Sequence, residues 1–164
     1  MRWIVDDVAL NLLDAILQAF DRFQTPTALP GGGFMTYCNM AVAKVLLTLG
    51  SHELRNPGGS PLDANQMVAA MSSSSNWQEV QMEDAQALAN SGQVVVAGMT
   101  SQQLGQDHGH VVVVRPGTAE MSEKWQGMCP KVSHVGEKSL IGTVASWAFP
   151  GTLRPRFWQL KSLV

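Results

Sequence analysis

The chain has 164 residues, 45% hydrophobic and 15% charged, with a formal net charge of −2 and a pI near 6.0. That length suits one domain with a real core, and the near-neutral balance excludes the basic footprint of a nucleic-acid or anionic-membrane binder. Two cysteines do not make a disulfide scaffold, and the longest apolar run, around Met40–Leu49, contains Lys44 and is too short to span a bilayer.

Residues 5–20 carry Val5, Val8, Leu12, Ile16 and Phe20 at helical spacing, which predicts an amphipathic helix with acids in its first turn. Residues 24–35 read as a loop, with two prolines and the run Gly31-Gly32-Gly33. A second helix runs from about Tyr37 to Leu49 and stops at Gly50. After a turn-rich stretch over 51–62, Asp63 is placed to cap a short helix through Met71. Ser72–Ser75 reads as a loop leading to Trp77, and a further helix is expected from Glu83 to Asn90. From Gln93 the period changes: 93–97 and 110–114 are β-branched runs bounded by glycine and proline, hence buried strands. Residues 131–135 alternate as a third strand and 156–160 as a last one, with 139–149 a loop or irregular helix between them. No linker or repeat divides the chain. The expectation is a single α+β domain over 1–164, with N-terminal helices packed on one face of an antiparallel sheet that runs as a meander.

Two stretches carry chemistry. Thr36-Tyr37-Cys38-Asn39 sets a cysteine on the first turn of an apolar helix, where unpaired N–H groups and the helix dipole favour a thiolate. Gly109-His110-Val111-Val112-Val113-Val114 sets an imidazole at the mouth of a strand. A thiol at a helix start and an imidazole at a strand start are the halves of an activated nucleophile, and they meet only through the fold. A free cysteine buried as a small core residue is the plainer alternative. His108 with His110 forms a His-x-His pair that Cys129 or His134 would complete as a zinc site. Gly105, Gln106 and Gly109 place residue 108 in a loop and weaken that pairing. Trp77, Trp125, Trp147 and Trp158 lie in or beside loops and strands, where an indole packs or offers a stacking platform for a sugar or peptide.

Together with Ala85–Ala89 and Ser91-Gly92-Gln93-Val94-Val95-Val96-Ala97, these stretches give residues 34–136 an order that resembles the papain-like amidases of bacteria and phages, the CHAP and NlpC-type cysteine peptidases. The resemblance implies a papain-like fold, with Cys38 as nucleophile, His110 as base and a polar residue on the next strand orienting the imidazole. His134 fills that third position, with Ser133 and Glu137 as neighbouring alternatives. The Cys38 backbone N–H would serve the oxyanion; Tyr37 is a second donor candidate, although its side chain diverges from that of Cys38. The implied activity is hydrolysis of a peptide amide, above all in peptidoglycan, without metal or cofactor.

Acids follow Met1-Arg2-Trp3-Ile4-Val5 where a secretion signal would stay apolar. The expectation is therefore synthesis in the cytoplasm, with any route to the wall through a phage system or a secretion machine. An exported effector of this kind would be matched by an immunity protein. The rival readings are a thiol hydrolase acting on proteins, a silent binding or structural module that keeps the shape, and the metal hydrolase.

Overall fold

The structure, a computed structural model, describes residues 7–32, 34–35, 37–136 and 139–162. It begins with helix α1 (Asp7–Phe23), whose Leu12, Ala15, Ile16, Ala19 and Phe20 are buried. The expected loop after it holds a two-residue hairpin, β1 (Thr27–Ala28) with β2 (Phe34–Met35). Helix α2 (Cys38–Thr48) follows and packs along α1. Helix α3 (Ala64–Ser73) starts at Asp63, which accepts from the Gln66 N–H while the Gln66 side chain accepts from the Asp63 N–H. That reciprocal pair satisfies two N–H groups the helix leaves open. Ser72 and Ser73 therefore belong to a helix rather than a loop.

Strand β3 (Trp77–Val80) and helix α4 (Met82–Asn90) come next, then β4 (Val95–Met99), a short helix α5 (Ser101–Leu104) and β5 (His110–Val114). A small hairpin, β6 (Glu120–Ser122) with β7 (Gly127–Cys129), precedes β8 (Lys131–His134). Residues 139–149, expected to be irregular, hold β9 (Leu140–Val144) and a 3-10 turn over Ala145–Trp147. The last strand is β10 (Arg156–Leu160).

Six strands form one antiparallel sheet in the order β3-β10-β4-β5-β8-β9. The sheet is not a simple meander, because β10 inserts between β3 and β4. Residues opposite each other across strands share a face. Val96, Gly98, Val111, Val113 and Ser133 thus point one way, and Ala97, Met99, His110, Val112, Val114 and Val132 the other. Helices α1, α2 and α3 cover the first face: Ile16, Ala19, Cys38 and Val42 lie against Val111, Val113 and Ser133. A methyl on Gly98 would come within 2.9 Å of Val68 on α3. On the second face, the Phe149 ring packs on His110 and Trp125 packs on Phe149. Both faces of the sheet centre are therefore covered, and all five residues of β4 are buried. No helix among the described residues is long and apolar enough to cross a membrane.

Candidate active site

The site forms where the sheet opens. Just past β5, the Arg115 N–H donates to the Lys131 carbonyl on β8. Strand N–H groups alternate in direction with period two, so those of Val113 and Val111 also point towards β8. Paired residues of β5 and β8 are only Val113 with Ser133 and Val114 with Val132, and the register of β8 against β9 shifts between Val132 and His134. Val111 has no paired residue on β8, and its N–H lies near enough to the Cys38 sulfur to favour the thiolate.

Cys38 is the first residue of α2, as expected, and only 6% exposed. Its sulfur sits among three backbone N–H groups, those of Val111, Asn39 and Cys38 itself. These favour the thiolate, but burial outweighs them and holds the thiol above its ordinary pKa. The expectation of a thiolate stabilised at rest is thereby reversed: the helix-terminus argument was sound, but desolvation is the larger effect.

His110 opens β5, and its Nε2 lies 2.8 Å from His134 Nδ1, with the two rings edge-on at 4.6 Å between centroids. Phe149 closes another side of the His110 ring at 5.2 Å. Burial, with the nearby His134, pushes the His110 pKa down to about 3. Burial also lowers that of His134. Two neutral imidazoles therefore share one proton-bearing contact at neutral pH. The sulfur's hydrogen-bond partners are backbone groups, and the imidazole hydrogen bond goes to His134.

Two glycines shape this corner. A methyl on Gly109 would come within 2.7 Å of Asn65 Oδ1 and 2.9 Å of the Met99 carbonyl, so only glycine lets β5 begin here. One on Gly136 would meet the His134 ring at 2.9 Å.

The other candidates lie elsewhere. The Tyr37 hydroxyl bonds Thr27 Oγ1 and its ring packs on Phe23, so Tyr37 braces the β1–β2 hairpin. It is not aimed as an oxyanion donor. Ser133 faces the helices; its buried hydroxyl has no hydrogen-bond partner and is not on the His110 ring. Glu137 lies outside the described residues. His108 stays in the loop before β5. Among the described residues no three His, Cys, Asp or Glu side chains gather as a metal-binding group. Cys129 is buried beside Ser146, with its thiol pKa raised chiefly by burial.

Three contributors escape a sequence reading. The Val111 N–H acts through its backbone and has no residue signature. Phe149 reaches His110 from a segment read as irregular. Gly136 is one of 15 glycines and is distinguished only by the ring above it. A scan of known protein families and a search of curated proteins each return no match for this chain.

Proposed function

We propose that this protein is a papain-like cysteine amidase cleaving a peptide amide bond, with peptidoglycan as its substrate. The observation that carries the reading is the 2.8 Å contact between His110 Nε2 and His134 Nδ1, at the start of a strand whose next residue, Val111, lies against the helix-start cysteine. The choice of peptidoglycan rests on the family resemblance in the sequence.

The contact restricts the tautomers. His110 accepts a proton on Nδ1 only if Nε2 carries the hydrogen and donates it to His134 Nδ1; His134 then carries its own hydrogen on Nε2. Cys38 rests on the helix-covered face of β5 and His110 points to the other, so this reading requires the His110 ring to turn round the start of the strand; the Cys38 thiol proton then moves to its Nδ1 as sulfur attacks the carbonyl carbon. The Cys38 N–H at the helix start stabilises the oxyanion. Collapse breaks the C–N bond, and His110 gives its proton to the departing amine. Water, deprotonated by the same ring, hydrolyses the thioester and restores the thiol. The resting pair is neutral, so proton transfer accompanies attack instead of preceding it.

The test is digestion of purified peptidoglycan with muropeptides resolved by mass. New amine and carboxylate ends, absent with Cys38→Ala and with His110→Ala, are the expected result. Cleavage within the glycan would remove the thiol mechanism. A silent module is the second reading, favoured by the depth of Cys38 and by a sulfur bonded to backbone rather than to the imidazole. It predicts no new ends from any peptidoglycan or peptide.

A further inference from the structure

The far end of β5 carries a charge that its surroundings leave unmatched. The pairing of Val113 with Ser133 and Val114 with Val132 runs one step further and sets Arg115 opposite Lys131. Residues directly opposed across strands share a face, and like charges so placed repel. Lys131 is answered by an ion pair with Glu120. Among the described residues no carboxylate meets the Arg115 guanidinium, and its N–H groups make no hydrogen bond. Both cations are held by a polar frame. Buried Gln86 on α4 accepts from the Lys131 N–H and donates to the Arg115 carbonyl, which closes this end of the ladder. Gln86 also donates to Asn90 Oδ1, and the Asn90 amide clasps both the N–H and the carbonyl of Gly117. Two helix carboxamides therefore fix the turn that carries Arg115.

From that turn the Arg115 side chain crosses β8 to the edge strand β9. A methyl on Gly142 would lie 3.2 Å from Nη1, 3.6 Å from Cζ and 3.9 Å from Nε, so the guanidinium spreads over this glycine. Burial holds its pKa below the ordinary arginine value. A partly buried cation without a partner is unfavourable, and a bound anion relieves that. The guanidinium is a planar fork of donors that grips a phosphate or a carboxylate with two parallel bonds. The ammonium of Lys131 decides between them. Its partner Glu120 is more than half exposed and free to swing aside, so the two cations match the higher charge of a phosphate. We infer that Arg115, with Lys131, forms a binding site for a phosphate group. The site lies at the opposite end of β5 from His110, about 16 Å away by strand rise, and the inference stands apart from the amidase reading.

The probe is inorganic phosphate, titrated at constant ionic strength into the isotopically labelled full chain and into Arg115→Gln, Arg115→Lys and Lys131→Gln. Saturable shifts of the Arg115 Nε–Hε and Gly142 N–H resonances are expected, with acetate binding more weakly. Arg115→Gln should weaken phosphate binding roughly ten- to hundredfold, the worth of hydrogen bonds to a charged group. Arg115→Lys should recover only part of this, because an ammonium lacks the fork. Lys131→Gln should weaken binding roughly two- to fivefold, as for a solvent-exposed ion pair. Urea midpoints check the fold of each variant; should Arg115→Gln not fold, Arg115→Lys and Lys131→Gln carry the test. Shifts that do not saturate, shifts that chloride reproduces, or an affinity unchanged in Arg115→Lys and Lys131→Gln overturn the site. Acetate binding as tightly as phosphate overturns the choice of phosphate in favour of a carboxylate.

Discussion

At the scale of single residues, the sulfur of Cys38 is drawn towards the thiolate by three N–H groups and away from it by the apolar wall on which it rests. The wall wins. Iodoacetamide should therefore label Cys38 slowly below pH 7, with a rate that climbs only above the ordinary thiol range; rapid labelling near pH 6, followed by mass spectrometry, would contradict that balance. His134 should matter less than the nucleophile. His134→Ala removes one orienting hydrogen bond worth about 0.5–1.5 kcal/mol, which slows turnover roughly three- to twelvefold, while Cys38→Ala abolishes it. Asparagine at 134 should recover part of the rate, because its amide oxygen accepts from the His110 N–H; a full rate in His134→Ala would remove the positioning role. Cys38 and His110 were legible in the sequence because a helix start and a strand mouth announce themselves through glycine and apolar patterning. The thiol's true balance was not, since desolvation depends on neighbours such as Ile16 and Val113 that lie far away along the chain.

Among the elements, the strongly periodic ones were readable and the interrupted ones were not. Helices α1, α2 and α4 and strands β5, β8 and β10 fall within a few residues of their expected spans. Strand β3 has Gln78 and Glu79 exposed, so no apolar alternation marks it; it exists because β10 pairs along its whole length. Strand β9 is broken in sequence by Gly142, which sits at φ +66 over the Arg115 guanidinium. Such a glycine reads as a turn. Gly109 is the most exacting backbone position beside the site, and Gly109→Ala should destabilise the fold by about 1–3 kcal/mol as Asn65 and the Met99 carbonyl are pushed apart. Urea unfolding measures this, and a loss no larger than that of an exposed glycine such as Gly58 would show that the start of β5 yields freely.

For the whole molecule, the buried histidines tie stability to pH. The His110 pKa falls from 6.5 in the unfolded chain to about 3 in the fold, so the unfolded state binds the extra proton between those values. Its contribution is fully present above pH 6.5 and is lost as pH falls towards 3, at no more than about 1.4 kcal/mol per pH unit. Urea midpoints measured from pH 7 to pH 4 should drop accordingly, and His110→Asn should flatten the slope, with His134 supplying the remainder. A slope unchanged by that substitution would place the sensitivity elsewhere. The insertion of β10 has a consequence for the order of synthesis. Phe157 to Leu160 pair with β3 on one side, and Arg156 to Gln159 with β4 on the other. Until residue 160 has been made, two strands separated by a helix lie with facing edges and nothing between them. A growing chain therefore waits with its sheet split, β3 apart from the half formed by β4, β5, β8 and β9 that carries the site. The two halves join only when β10 enters between them and Trp158 goes into the core.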